Sequence, residues 1–349
     1  MNKKIIYILV LVLLTSLVLK ADRKQQELFT KAITEKDATL KMQYLKDYQT
    51  KYGEKKDRFH KFLYLNLTDT AFRLKLYDEA ISYGEKTLAI PELGDDNKIR
   101  LYMSLANSYN ITKKDIEKAS EYAQLTIDLA HDMMGKIKAL DQDQESKDKI
   151  LNNYNVFYIA PAYRIQSQIL YNKGKDDPQT LKEAFEKACE AYRTDKSDRS
   201  AKMVSSFAMN LYGKKMNNEA IKALELIMNK ENPDLKHIMM LGNLYYRLRN
   251  KKQAVHYFEM YYKIRKQAKI ANRIGLLVQK DDPVKGANYF AEAFLLSKSN
   301  KESDAYKYLE HIYFNIIAKD KPPEEKEAGF KDFINQAKER LGLDTSTPM

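Results

Sequence analysis

The 349-residue chain is predicted to be all-α, a solenoid of antiparallel helix pairs, on three observations. Eleven glycines and eight prolines are too few for a strand-and-turn sandwich, and helix-favouring Lys, Glu, Ala and Leu are abundant. Apolar residues recur at spacings of three and four, the mark of helices with one buried face. Small residues recur in pairs twelve apart, and the pairs themselves repeat at a near-constant interval. A chain with 44% apolar and 31% charged residues is neither disordered nor collagen-like.

Residues 1–21 stand apart from the rest. "MNKK" is a short positive region, and Ile5 to Leu19 runs without a charge. That run is short for a spanning helix and matches the core of an export signal. Ala21 offers a cleavage position, while Lys20, Arg23 and Lys24 suit the end of a retained anchor, so both fates stay open. No Cys follows the run, which excludes a lipoprotein anchor. Export to a periplasmic or cell-envelope location is the expectation, with membrane association through residues 5–19.

Residues 22–349 read as successive helix pairs. The first spans 23–52, with Ala38, Met42 and Leu45 on its second helix; 58–92 and 98–133 follow. Residues 134–160 break the period. There "DQDQESKD" reads as a polar connection, and "ILNNYNVFYIAPAYRI" as an extension of the next first helix, kinked or begun near Pro161. The stretch 199–298 is the most regular, in pairs at 199–230, 233–266 and 268–298. Residues 302–341 give two more polar helices, separated by Pro322-Pro323, that suit a cap.

The small-residue pairs set the register. Thr68 and Ala80 are twelve apart, as are Ala208 and Ala220, Gly242 and Ala254, and Gly275 and Ala287. Ala106 with Ala119 needs one extra residue; Ser167 with Ala184 needs five, assigned to the loop "DDPQT". The alanines at 184, 220, 254 and 287 follow one another at 36, 34 and 33. Gly242 falls mid-helix, where glycine costs up to about 1 kcal/mol against alanine. Close approach of the helix bearing Ala254 is the expected compensation.

Period, paired small residues and the bulky residues three after those of the first helices (Tyr109, Leu170, Leu211, Tyr245 and Val278) together resemble the tetratricopeptide repeat (TPR) family. The usual aromatic near the start of each first helix is replaced by Tyr64, Met103, Val204 and Ile238, and the chain has no Trp. The resemblance implies a right-handed superhelix whose concave groove, lined by first helices, binds a peptide or protein segment. Counting from each small residue places Lys202, Ser205, Met209 and Tyr212 in that groove. Lys236, Met239, Asn243, Tyr246 and Arg247 follow, then Lys269, Asn272, Arg273, Leu276, Gln279 and Lys280. Cations, amides and aromatics without a carboxylate suit an extended acidic segment. Asn243, Lys269 and Arg273 are similar to part of the clamp by which some members hold a C-terminal carboxylate. Ser205 and Met209 stand where that clamp has a Lys and an Asn. The alternatives are a solvated face with no fixed ligand and a groove filled by another part of the chain.

No catalytic constellation is present in the sequence. The five histidines share no metal-ligand spacing, and there is no Gly-rich phosphate loop or Gly-x-Ser-x-Gly elbow. The single Cys189 sits among alanines as a small core residue. No cofactor, metal or enzymatic activity is expected. The net charge is +12; Lys3, Lys4 and Lys20 contribute +3 and leave +9. That excess, with both signs mixed along every helix, fits a solvated Lys-rich surface, or else an acidic protein partner, an anionic membrane surface or a cell-wall polymer. No nucleic acid is expected in an exported protein. "YNVFYIAPAY" reads as core aromatics or, alternatively, a partner-binding patch.

Overall fold

A computed structural model describes residues 23–54, 59–91, 93–229, 231 and 233–344. The export or anchor segment expected at 1–21 lies outside them. Every regular element among the described residues is helical, as predicted, and the chain divides into two units, residues 1–204 and 205–349.

In the first unit α1 covers residues 23–34. It is followed by α2 (Ala38–Tyr52), α3 (His60–Arg73), α4 (Tyr77–Leu88), α5 (Asp95–Thr112) and α6 (Ile116–Lys138). Then come α7 (Gln144–Tyr154), α8 (Ala160–Gly174) and α9 (Pro178–Thr194). The boundary between units falls within α10 (Asp198–Gly213). The second unit continues with α11 (Asn217–Ile227), α12 (Leu235–Arg247), α13 (Lys251–Ile264), α14 (Ala268–Val278) and α15 (Pro283–Leu296). It ends with α16 (Asp304–Ile312) and α17 (Pro323–Leu341).

Side-chain caps start many of these helices. Asp37, Asp115, Asp143, Asp177, Asp234, Asn250 and Asp282 each accept a hydrogen bond from a backbone N–H in the first turn that follows. Most turns within a pair are three residues long. At four of them a cation takes the left-handed conformation: Lys75, Lys113, Lys215 and Arg249, with φ of 61°, 57°, 62° and 58°. The turn then closes backwards, as when Asn250 N–H donates to Tyr245 C=O at 2.9 Å.

Two expectations need correction. The polar segment 141–148 is not wholly a connection: Asp143 caps α7, whose first residues are Gln144 to Asp148. From there the chain stays helical to Gly174, passing through a π-helical turn at Asn155–Ile159 that absorbs the irregularity. Pro161 lies in the first turn of α8, as the sequence suggests. The five extra residues between Ser167 and Ala184 are not a loop insertion either. Asp177 is an N-cap and Pro178 the first residue of α9, so "DDPQT" opens a helix. Against the Gly242–Ala254 pair, α8 runs two residues further past its small residue, and α9 starts three residues earlier before its alanine.

Packing within a pair is small against large. Ala208, Ala220, Ala254, Ala287, Ala119 and Ala184 have no exposed surface. A methyl group on Gly242 would lie 2.5 Å from Phe258 Cε1, and one on Gly275 would lie 2.8 Å from Phe290 Cε1. The close approach at Gly242 is therefore to the ring of Phe258, one turn beyond Ala254. Ser167 uses its hydroxyl instead, donating to Ala184 C=O at 2.7 Å.

Between pairs, glutamates on second helices grip tyrosines. Glu85 on α4 accepts from Tyr109 (2.7 Å), Tyr122 (3.1 Å) and Lys118 (3.0 Å). Burial pushes its carboxyl up, but the three hydrogen bonds outweigh that and hold it below the usual carboxylate range. Glu225 on α11 accepts from Tyr245 (2.6 Å) and Tyr257 (3.3 Å), whose rings stack 5.6 Å apart. Glu259 on α13 accepts from Tyr289 (3.0 Å) and pairs with Lys285 (2.9 Å). Glu292 on α15, nearly inaccessible to solvent, accepts from Tyr262 and from Arg340 of α17, both at 2.8 Å. Each arrangement lets a tyrosine bury its ring while its hydroxyl stays satisfied.

Candidate functional site

The candidate face lies in the second unit, on α12 and α14 and the end of α10. In α12, Ile238, Leu241, Gly242 and Leu244 are buried, which turns Lys236, Asn243, Tyr246 and Arg247 away from the core. In α14, Ile270, Ala271, Ile274, Gly275 and Val278 are buried; Lys269 and Leu276 are exposed, and Asn272 and Arg273 are half-buried. Helical phase alone produces this division.

Several of the sequence-selected residues meet one another. Arg273 Nη1 donates to Asn243 Oδ1 at 2.7 Å, linking α14 to α12. The same guanidinium lies 5.2 Å from the Phe258 ring centroid and 5.9 Å from that of Tyr246. Arg247 sits 4.0 Å over the ring of Tyr212, linking α12 to α10. These aromatic contacts hold two guanidinium planes in place while leaving most of their N–H groups unspent. Lys236 and Lys269 are exposed, and none of these four cations is ion-paired among the described residues. Asn272 Oδ1 is enclosed without a hydrogen-bond partner among them. Lys202 is exposed and falls in the first unit.

Ser205 and Met209 lack clamp chemistry, but Ser205 has another role: its hydroxyl and His237 Nε2 are 2.8 Å apart, joining α10 to α12. Burial is the main cause holding the His237 imidazole below its ordinary pKa, so it is neutral near pH 7. Sequence reasoning passed over this pair, because no motif links a serine to a histidine on the next first helix. It also passed over a cationic pocket in the first unit, where Lys41, Arg73 and Arg100 meet from three different helices.

The aromatic segment at 154–163 is mainly packing. Tyr154, Tyr158 and Tyr163 lie against Ile99 of α5, Ala130 of α6 and Ile159 of the π-helical turn, while Phe157 stands 62% exposed. Cys189 is buried on α9, the position expected of a core residue. Among the described residues no cluster of His, Cys, Asp and Glu is arranged to hold a metal ion. No described helix is long and apolar enough to cross a membrane.

No protein-family profile and no curated protein matches the chain. Among solved structures it is similar to a tetratricopeptide repeat protein from Parabacteroides merdae, at 14% identity and a TM-score of 0.39, over 83% of this chain and 99% of that one. It is similar to the assembly chaperone of RpL4, Acl4, at 13% identity and a TM-score of 0.41, over 74% and 97%. A third is the C-terminal part of a TPR repeat-containing protein from Cytophaga hutchinsonii, at 16% identity and a TM-score of 0.33, over 81% and 96%.

Proposed function

We propose that this chain is a non-enzymatic scaffold that captures an extended, acidic protein segment along the first-helix face of its second unit. One observation carries the reading. The helices α12 and α14 contain no Asp or Glu, and their cations Lys236, Arg247, Lys269 and Arg273 have no carboxylate partner among the described residues. The carboxylates of the neighbouring second helices, Glu225, Glu259 and Glu292, are already engaged by tyrosines. A segment bearing carboxylates supplies the missing charge; Asn243 and Asn272 offer amides for its backbone, and Tyr212 and Tyr246 cover its apolar side chains. Lys202 and the superhelical groove as a whole belong to the same reading, as does placement in the cell envelope, which rests on residues 1–21.

The test is fluorescence anisotropy of the full chain with a labelled twelve-residue peptide rich in Asp and Glu. Binding should weaken as salt rises. Replacing Lys236, Arg247, Lys269 and Arg273 together by Glu should abolish it while circular dichroism stays unchanged. Undiminished affinity in that variant sinks the reading. Anionic vesicles that bind wild type and variant alike would favour the general basic surface instead.

A further inference from the structure

The first unit carries a cationic pocket that no part of the peptide-binding reading uses. Along α3, Asn66, Asp69 and Arg73 share one face, at spacings of three and four. Lys41 enters from α2 and Arg100 from α5, and the pocket among them has a volume of about 340 Å³. Three cations thus face a single carboxylate. Arg100 is bound to Asp69, and Lys41 Nζ donates to Ile33 C=O at 2.9 Å. Arg73 has neither a hydrogen bond nor an ion pair among the described residues.

The surplus charge is felt inside the pocket. Burial pushes the Lys41 ammonium below its ordinary pKa, and the neighbouring Arg73 adds to that. Burial also pushes the Asp69 carboxyl up, against the pull of Arg100. The Lys41 shift describes a cation short of solvent and beside another cation; the Asp69 shift describes a carboxyl short of solvent although cations surround it. An oxyanion placed there would relieve the repulsion, and the free fork of Arg73 offers paired N–H donors.

Against this pocket stands an apolar slot of about 460 Å³. Phe29, Ile33, Phe59 and Phe62 line it, and Asn66 is a wall of both cavities. Ile33 and Phe62 remain 38% and 41% exposed, two apolar side chains left uncovered beside the cationic pocket. Each volume is of the size that takes a small molecule.

We propose that the two cavities form one binding site for a small amphiphilic anion. Its oxyanion head, a carboxylate or a phosphate, sits among Lys41, Arg73 and Arg100, and its apolar tail lies against Ile33 and Phe62. The site shares no residue with the face on α12 and α14, so it stands or falls independently of the scaffold reading.

Isothermal titration calorimetry of the full chain tests this with three probes that share one tail: octanoate, octyl phosphate and octanol. One equivalent of octanoate or octyl phosphate should bind, the tighter of the two identifying the head group, and octanol should bind at least tenfold more weakly. Arg73→Ala should weaken binding at least tenfold. Because Arg73 is exposed and unpaired, that variant should keep the wild-type melting temperature, and Phe62→Ser should weaken binding through the tail. Replacing the four cations on α12 and α14 should leave the affinity for octanoate and octyl phosphate unaltered. The site is overturned if neither anion binds at millimolar concentration, if Arg73→Ala binds as wild type does, or if octanol equals octanoate. Inorganic phosphate binding as tightly as octyl phosphate would remove the slot from the site.

Discussion

Arg273 on α14 donates a 2.7 Å hydrogen bond to Asn243 on α12, so two successive helix pairs present one joined donor array. The bond occupies the amide oxygen and leaves the Asn243 NH₂ to donate elsewhere. Replacing Arg273 by Lys keeps the charge but removes the planar fork and its aromatic seat. Affinity for an acidic peptide should fall about tenfold, or about 1.4 kcal/mol. Anisotropy titration measures it; equal affinity would mean that charge alone matters and the geometry does not.

Two helical glycines should respond to alanine in opposite directions. Around Gly135 in α6 there is open space, so Gly135→Ala should gain the helix propensity of about 0.5–1 kcal/mol. At Gly242 the new methyl would meet the fully buried Phe258 ring at 2.5 Å. Overpacking costs about 1–3 kcal/mol, which exceeds the propensity gain, so Gly242→Ala should lower the melting temperature. Thermal melts of the two variants decide it.

How much of this was legible in the sequence depends on the distance over which a residue acts. Helix pairs and their small residues were readable because Ala208, Ala220, Gly242 and Ala254 obey a local period, and each proves buried. Helical phase likewise placed Lys236, Arg247 and Lys269 outside the core. The partner of Gly242 was not readable: spacing pairs it with Ala254 or Phe258 alike, and ring orientation decides. Asp177-Pro178 was misleading because a capped helix start and a loop use the same residues. The Glu–Tyr grips and the Lys41, Arg73 and Arg100 pocket join residues from separate helices, and no local pattern announces them.

The left-handed turns hold an unrealised reserve of stability. Arg249 has φ of 58°, a conformation costing an L-residue roughly 1–2 kcal/mol, against about 0.5–1 kcal/mol of extra chain entropy for glycine. Arg249→Gly should therefore raise stability by up to about 1.5 kcal/mol. A urea titration showing a loss would mean that the Arg249 side chain makes a compensating contact.

Removing Arg340 should loosen the terminal pair. It reaches Glu292 at 2.8 Å and Asn288 at 2.9 Å, and Glu292 is almost wholly buried. Arg340→Met should cost about 1.5–3 kcal/mol, the worth of a hydrogen bond to a charged group whose partner is left enclosed. Adding Glu292→Gln should recover part of that loss, since a neutral amide tolerates burial better. Hydrogen exchange should show the change first in α17 and α15.

Acid should weaken the second unit through His237, and the sign follows from its burial. The unfolded histidine titrates near pH 6.5. The folded one titrates lower, mainly because burial disfavours the imidazolium. Above about pH 7.5 both states are neutral and the group contributes nothing. As pH falls through about 6.5 the unfolded chain takes up a proton that the folded chain resists, so stability declines until the folded pKa is passed. Glutamine at 237 retains a side-chain hydrogen-bonding group toward Ser205 and does not titrate. The stability difference between wild type and His237→Gln should therefore shift against wild type between pH 7.5 and 5.5. Urea melts at a series of pH values measure it, and parallel curves across that range would mean that His237 protonates as freely in the folded chain as in the unfolded one.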